Sequence, residues 1–232
     1  MKRNIYEKPS MKRTCRPNCI DNLDKDPVYC VQLISLEVIS LMLFQINGNK
    51  PRVGSGCYIA SSAEIIGDVT IGDGCYIGSG AKIIADYGKV KIGSRTAIEE
   101  NVVIHTRPDQ ETIIGDEVTV GHSAILHTCT IGDFALIGMG AIVSDYSTIG
   151  EWAAVGEGAV VISRTNIPAR KVALGVPAKP VKDISEEWQK LWAMYKASNA
   201  EVAQHFAASL KEVKSTRIDP KMNRKVKEKR SH

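Results

Sequence analysis

The sequence contains few aromatic residues and no regular framework of cysteine or glycine. Phe, Trp and Tyr make up 6% of the 232 residues. The 19 glycines do not recur at every third position, which excludes a collagen-like chain. The six cysteines are unevenly spaced in a chain of ordinary domain size, which argues against a disulfide-stapled scaffold. Apolar content of 44% and charged content of 24% are typical of a globular protein.

The sequence has one closely spaced cysteine pair without a matching partner pair, and it has no strong excess of charge. The pair in "CRPNC", Cys15 and Cys19, could form half of a metal site, but no other Cys or His pair has a matching spacing. The net charge is only +4, and much of it comes from the tail at residues 215–232. We predict that this tail is a disordered, solvated end rather than a nucleic-acid contact.

The sequence also lacks a convincing membrane segment. The apolar stretch "VYCVQLISLEVISLMLFQI" (residues 28–46) is interrupted by Gln32 and Glu37, and the residues before it are acidic rather than basic. A carboxylate near the middle of a spanning helix would be costly, and a signal peptide begins with basic residues. We therefore predict no membrane partner and a cytoplasmic protein. Residues 1–41 match no repeat, and we expect a poorly ordered extension or an artefact of start-codon choice.

What the sequence does contain is an aliphatic residue at every sixth position from Ile59 onward. Two short insertions and one five-residue step interrupt the series, which runs through Ile59, Ile65, Ile71, Ile77, Ile83, Ile92, Ile98, Ile104, Ile114, Val120, Leu126, Ile131, Ile137, Val143, Ile149, Val155 and Val161. The next position is usually Gly, and a small residue such as Ala81 or Ala124 follows three positions later.

A period of six fits neither a flat strand nor an α-helix. It fits a solenoid of short strands, each with one inward aliphatic residue, in which three strands form a triangular coil of about 18 residues. The sequence thus predicts an all-β fold, a parallel β-helix of hexapeptide repeats over residues 42–182. The second insertion, "RPDQ", is predicted to loop out without disturbing the register.

A C-terminal α-helix is predicted over residues 183–214. Apolar side chains recur at helical spacing, and Asp183 followed by Glu186 resembles a capping box. We expect the helix to pack along the solenoid through the stripe Trp188, Leu191, Trp192, Tyr195, Val202, Phe206 and Leu210.

Three of the five histidines lie between residues 105 and 127. His105 and His127 each follow an inward aliphatic residue on the same face (face A) in successive coils, so their rings should stack. His122 belongs to the adjoining face C. A catalytic zinc needs three protein ligands, so two stacked rings are insufficient. If identical prisms pack around a threefold axis, His122 of a neighbour could complete the site, which makes a homotrimer part of the prediction.

The segments "VVIHT" and "GHSAILHTC", with the flanking "IGD" repeats, resemble the γ-class carbonic anhydrase family of hexapeptide-repeat proteins over about residues 43–185. The resemblance implies a left-handed β-helix and a homotrimer whose interfaces hold metal on His105, His122 and His127. It also implies that metal-bound water, with a lowered pKa, attacks CO2 as hydroxide to give bicarbonate. Zn2+ is the expected metal, although Fe2+ and Co2+ accept the same ligands.

Several residues depart from the pattern of the family. Ile84 lies where the family has an Arg, in the column of His105 and His127, while Asp86 matches. In the element that usually reads Asn-x-Gln-Asp, the chain has Ala97, Glu99 and Glu100. Without the Arg, the carboxylate at Glu100 should lack its expected partner. Glu99 is more basic than a Gln and could accept a proton, so Glu99 and Asp86 are the candidate catalytic residues.

Two other functions remain open at this point. The first is a hexapeptide-repeat acyltransferase or CoA-thioester hydrolase, and the "GVPAKPV" exit from the solenoid, which acyltransferases of this fold share, does not discriminate between the two classes. The second is a metal-stabilised trimeric accessory protein with little catalysis, which the missing Arg favours. In each case the partner is a small molecule or a further copy of the chain.

Overall fold

The computed structural model describes residues 42–210, with the side chains of residues 197–200 excepted. The predicted extension at 1–41 and the tail at 215–232 lie outside the described residues. The first ten strands are β1 (Met42–Phe44), β2 (Arg52–Val53), β3 (Tyr58–Ile59), β4 (Glu64–Ile71), β5 (Tyr76–Ile77), β6 (Lys82–Ile92), β7 (Ala97–Ile98), β8 (Val103–His105), β9 (Glu111–Ile114) and β10 (Thr119–Val120). The next ten are β11 (Ile125–His127), β12 (Thr130–Ile131), β13 (Leu136–Ile137), β14 (Ile142–Val143), β15 (Thr148–Ile149), β16 (Ala154–Val155), β17 (Val160–Val161), β18 (Asn166–Ile167), β19 (Lys171–Leu174) and β20 (Lys179–Asp183).

These strands form a parallel β-solenoid of about 7 turns, which confirms the predicted fold. Face A carries β8, β11, β14 and β17, and face B carries β9, β12, β15 and β18. The two faces belong to one sheet because β4 and β6 run through the corner between them. Face C is a separate sheet of β3, β5, β7, β10, β13, β16 and β19, closed by the antiparallel strand β20. The left hand of the winding stays an expectation from the resemblance.

The aliphatic residues of the six-residue series fill the interior. Most are fully buried, including Ile65, Ile77, Ile83, Ile98, Ile104, Ile114, Leu126, Ile131, Ile137 and Ile149. Burying each such side chain stabilises the fold by about 1.5–3 kcal/mol. The small residues at the corners, such as Ala81 and Ala124, are fully buried as well. Where a glycine follows the aliphatic residue, the next coil lies close to it, since a Cβ at Gly121 would lie 2.8 Å from the backbone nitrogen of Met139.

Both insertions leave the register intact, as predicted. Opposite the single residue Asp68, strand β6 has residues 86–89, and pairing then resumes at Val69 with Val90. The "RPDQ" loop (residues 107–110) is exposed and stacks on the first insertion, with the amide of Asp109 donating to the carbonyl of Tyr87 over 3.0 Å. The following strand β9 again pairs with β6 and β12.

The helix α1 (Glu186–Ser209) begins later than predicted, and the predicted capping box is wrong. The N-cap is Ser185, whose hydroxyl accepts from the amide of Trp188 over 3.2 Å. Asp183 instead ends strand β20 and forms an ion pair with Lys171. The chain therefore completes a final hairpin before the helix starts. Residues 211–214 of the predicted helix lie outside the described part of the chain.

The helix packs along face C, from the last coils back toward the first. Phe206 contacts Tyr58 and Tyr76, and the buried Lys196 donates to the carbonyls of Glu117 and Ala135. The predicted apolar stripe is only partly correct, because Leu191, Tyr195, Val202 and Leu210 are exposed. Within residues 42–210, no helix has the length and hydrophobicity to cross a membrane. The cytoplasmic location stays a prediction.

Candidate functional site

His105 and His127 lie next to each other in successive coils, as predicted, with their ring planes tilted by 49°. They end strands β8 and β11 and are direct partners in the ladder of face A. Their ring centroids are 5.2 Å apart, and Nδ1 of His105 lies 3.1 Å from Nε2 of His127. Both side chains are about one-third exposed, at 35% and 33%. The repeat alone brings the two rings together, since each follows an inward aliphatic residue in successive coils.

Each ring of this pair also contacts a carboxylate through its other nitrogen. Nε2 of His105 lies 3.1 Å from Asp86, and Nδ1 of His127 lies 2.6 Å from Asp145. Metal-binding histidines commonly donate their second ring N–H to a carboxylate, which fixes the tautomer and raises ligand basicity. The two nitrogens that face each other are thereby left with lone pairs.

Asp145 was missed by the sequence analysis. It lies one coil after His127 and receives a second contact, 2.7 Å from the guanidinium of Arg107 in the "RPDQ" loop. Arg107 foremost, together with His127, lowers the pKa of Asp145 to about 2. The sequence does offer one indication of its position: Asp145 lies 18 residues after His127, which is the length of one coil. A cation thus lies near the histidine pair even though Ile84 replaces the family Arg.

The backbone beside the pair is held in a strained conformation. Thr128 has φ of 47°, in the left-handed region that a β-branched residue rarely occupies. Its hydroxyl accepts from the amide of Arg107 over 2.9 Å, and its own amide donates to the carbonyl of His105 over 3.2 Å. These bonds tie the turn after His127 to the start of the loop after His105.

His122 lies in the turn after β10, where the chain passes from face C back to face A. Its Nδ1 is 2.7 Å from Glu100 and its Nε2 is 3.2 Å from Glu99. Its backbone amide donates to Glu99 over 3.1 Å. The ring is half exposed, at 50%. Glu99 therefore belongs with His122, whereas the other candidate catalytic residue, Asp86, belongs with His105.

The carboxylate of Glu100 has partners other than the Arg that the family pattern would supply. The hydroxyl of Tyr76 donates to Oε1 of Glu100 over 2.7 Å, while Oε2 contacts His122. Burial alone would raise the pKa of Glu100, but the Tyr76 bond and the nearby His122 lower it below its usual value. Burial of Tyr76, together with the neighbouring Glu100, raises the pKa of the Tyr76 phenol, so its hydroxyl stays protonated and donates.

A single chain does not complete a metal site among the described residues, where no group of three His, Cys, Asp or Glu is arranged for one. The pair alone fits two positions of a tetrahedral metal. Two ligands at about 2.0–2.1 Å from Zn2+ lie about 3.3 Å apart, and the facing nitrogens of His105 and His127 are 3.1 Å apart. Ile84 precedes Asp86 in β6 and lies in the same column as the pair, because Ile83 pairs with Ile104.

Two family models match parts of the chain. The hexapeptide model "Bacterial transferase hexapeptide (six repeats)" matches residues 50–85, and the "GMPPB C-terminal domain" matches residues 84–191. Both matches lie in the solenoid and the start of the helix. The fold and these matches define a hexapeptide-repeat protein.

Curated relatives identify the family more closely. The chain is 35% identical to the carbonic anhydrase of Geobacillus kaustophilus over 167 residues, which cover 72% of this chain and 92% of that protein. It is 43% identical to a probable carbonic anhydrase of Methanocaldococcus jannaschii over 129 residues, 56% of this chain and 81% of that protein. The chain belongs to the γ-class carbonic anhydrase-like family of hexapeptide-repeat proteins. Its match spans 54% and 62% of the length of two mitochondrial γ carbonic anhydrases of Arabidopsis thaliana.

A similar solved structure is that of a protein described as a transferase. A putative acetyltransferase of Bacillus cereus is 34% identical, superposes with a TM-score of 0.71, and matches 73% of this chain and 99% of that one. The solenoid is therefore shared with proteins described as transferases.

Proposed function

We propose that the protein is a zinc-dependent enzyme that reversibly hydrates CO2 to bicarbonate at sites shared between the subunits of a homotrimer. Each site would take His105 and His127 from one subunit and His122 from the next. The observation that carries the proposal is the pair of ring nitrogens 3.1 Å apart, each ring held by a carboxylate at its far nitrogen. Imidazole ligands suit Zn2+, and Fe2+ or Co2+ would also be accepted.

An exposed apolar column on face A supports the shared site. The outward positions of β8, β11, β14 and β17 that precede the inward aliphatics are Val103, Ile125, Ile142 and Val160, which are ladder partners. Ile125 is 42% exposed and Ile142 is 36% exposed. A contiguous apolar surface of this kind is typical of a protein interface. The histidine pair points outward from the same two strands, so an interface on face A would include it.

The residues of the chain have separable tasks in this proposal. Asp86 and Asp145 hold the tautomers of the pair, and Arg107 keeps Asp145 ionised. Glu99 contacts His122 and would therefore enter the shared site from the same subunit as that histidine. Its carboxylate could accept a proton during hydration. When bound, the metal would supply the Lewis acidity that makes water a nucleophile near neutral pH.

The sharing of the site is testable by mixing two defective subunits. We expect His127→Ala and His122→Ala each to abolish metal binding and CO2 hydration. In trimers formed by co-expressing the two variants equally, about a quarter of the interfaces combine an intact pair with an intact His122. Metal content and stopped-flow hydration should therefore recover to about a quarter of the wild-type values.

Two controls make the result interpretable. Gel filtration with mass measurement checks that each variant is trimeric, and separately purified variants mixed without subunit exchange should stay inactive. No recovery in verified mixed trimers would overturn the shared site. Full metal content in His122→Ala would assign the metal to one chain. Full metal content without CO2 hydration in the wild type would overturn the proposed reaction.

A second candidate function is acyl transfer to or from a CoA thioester, or hydrolysis of that thioester. The similarity to the putative acetyltransferase of Bacillus cereus favours it. So does a groove of about 430 Å³ beside the helix start, lined in part by Val155, Leu174, Lys182 and Trp188. Acyl-CoA turnover monitored by free thiol release tests it. Thiol release that persists in His122→Ala, without CO2 hydration, would favour this reaction, and the absence of both activities in a metal-loaded trimer would favour an accessory role.

A further inference from the structure

Behind His122, a continuous chain of contacts leads away from the solenoid surface to the C-terminal helix. Nδ1 of His122 lies 2.7 Å from Oε2 of Glu100, and Oε1 of the same carboxylate accepts from the Tyr76 hydroxyl over 2.7 Å. The Tyr76 ring in turn meets the ring of Phe206 of α1, with centroids 5.4 Å apart.

We propose that Tyr76 and Glu100 are positioning residues for His122, and that α1 sets the orientation of this third metal ligand through Phe206. The proposal rests on the shared metal site proposed above. It gives the C-terminal helix a role in orienting His122, whereas the groups that hold His105 and His127 belong to the solenoid.

Tyr76 is well placed to act as a fixed donor. Its side chain is 8% exposed and packs in a small cluster with Ala97 and Ala203. The Tyr58 ring stacks on it at 5.3 Å, and Phe206 meets it edge-on at an angle of 74°. Contacts on two sides leave the phenol little freedom, so Tyr58 of the solenoid and Phe206 of the helix together hold the hydroxyl in place.

Glu100 transmits that position to the imidazole. One carboxylate oxygen accepts from Tyr76 and the other faces Nδ1 of His122, so the carboxylate plane is fixed at both ends. A neutral imidazole that donates from Nδ1 keeps the lone pair on Nε2, the form that binds metal. The contact of Nε2 with Glu99 is longer, at 3.2 Å against 2.7 Å. Nε2 is therefore the nitrogen available to a neighbouring subunit.

The test uses the full-length protein and measures metal binding directly. Zn2+ affinity is determined by competition with a chelator, and the visible spectrum of the Co2+-loaded protein reports the coordination geometry. We expect Glu100→Gln to weaken Zn2+ binding by about 10–100-fold, the usual effect of losing such a partner. Tyr76→Phe removes only the hydroxyl and should weaken binding by about 3–10-fold, with an altered Co2+ spectrum.

Tyr58→Phe is the matched control. It removes a hydroxyl from the stacked neighbour in the same aromatic cluster, while the ring contacts remain. Zn2+ affinity and the Co2+ spectrum of this variant should equal those of the wild type. Phe206→Ala, checked by circular dichroism for retained helix, should shift both readouts in the direction of Tyr76→Phe.

The outcomes separate this proposal from the proposed function. If the wild type binds metal and His122→Ala does not, but Tyr76→Phe and Glu100→Gln bind as the wild type does, the positioning role is wrong and the shared site stands. Equal losses in Tyr58→Phe and Tyr76→Phe would also overturn it, because they would reflect packing in general. A wild-type protein that binds neither Zn2+ nor Co2+ would overturn both proposals.

Discussion

The His105–His127 pair and His122 lie on adjoining parts of one solenoid, but different parts of the chain hold them. The pair is supported from within the solenoid, by Asp86, Asp145 and the Arg107 loop. His122 is supported by Glu100 and Tyr76, and through Tyr76 by a helix more than 60 residues later in the chain. The two halves of the proposed metal site therefore differ in their supports, because the chain of contacts behind His122 includes the C-terminal helix.

This difference has a physical consequence. Supports that belong to stacked coils form together with the ladder, so the pair should persist as long as the solenoid does. A support that passes through a docked helix also depends on the free energy of docking that helix. Local opening of such an element costs less than global unfolding. Disturbing the helix should accordingly affect His122 before it affects the pair.

The largest expected effect is on the pair itself. Asp145→Ala removes the carboxylate that lies 2.6 Å from Nδ1 of His127 and leaves Arg107 without its partner. We expect Zn2+ affinity to fall by about 10–100-fold. Chelator competition measures it, with the exposed Asp109 in the same region replaced by Ala as a control. Unchanged affinity in Asp145→Ala would mean that the pair does not need this support.

The next effect concerns helix docking and its pH dependence. Lys196 is 1% exposed, and burial lowers its pKa to about 7 from an ordinary value of 10.5. The unfolded chain then binds more protons between pH 7 and 10.5, so this residue makes stability rise with pH across that window. Below pH 7 both states are protonated and the whole cost of burying the charge remains.

We expect the free energy of unfolding to rise by about 1–3 kcal/mol more in the wild type than in Lys196→Met between pH 7 and 9.5. Urea unfolding at the two pH values measures the difference. The comparison with Lys196→Met removes the contributions of other titrating groups. Parallel pH profiles for the two proteins would contradict the prediction.

A smaller effect on Zn2+ affinity is expected for Arg107, which contacts Asp145 rather than a histidine. Arg107 is exposed, and its ion pair with Asp145 is screened by solvent. Arg107→Ala should lower Zn2+ affinity by about 2–5-fold, and the loss should shrink at high salt. Arg107→Lys keeps the charge and serves as the matched variant. A loss as large as that of Asp145→Ala would mean that Arg107 does more than hold the carboxylate.

An effect of similar size is expected where the sequence departs from the family pattern. Ile84 is half buried, lies in line with His105 and precedes Asp86 by two positions. Ile84→Arg places the family's cation beside the pair. We expect CO2 hydration to rise by about 2–5-fold with metal content unchanged, because a cation there favours developing negative charge. Equal rates for the two proteins would show that Arg107 already supplies what is needed.

Much of the fold could be predicted because the repeat is a strong constraint. One inward aliphatic residue every six positions specifies the strands, the corners and the length of a coil. The insertions are recognisable because they lengthen a step in that series. The start of the helix was predicted less well, because Asp183 and Ser185 are both capable caps and the final hairpin decides between them. Lys196 could not be predicted as a core residue, since its partners are backbone carbonyls on face C.

Some residues of the candidate site could likewise be predicted from the sequence, and others could not. Register alone predicted that His105 and His127 stack, and that His122 lies around the corner. Asp145 and Tyr76 escaped notice because their importance depends on where their side chains point. The partners that Glu100 has in place of the family Arg were not predicted, because one of them is a tyrosine from the preceding coil.

By itself, the sequence determined the period of the solenoid, the residues that fill it and the column in which two histidines meet. These are consequences of spacing, since each coil repeats the position of the one before. Only the tertiary structure decided which carboxylate holds which ring, and that the helix reaches His122 through Phe206 and Tyr76. Those choices depend on side-chain direction and on contacts between distant segments, which no local pattern encodes.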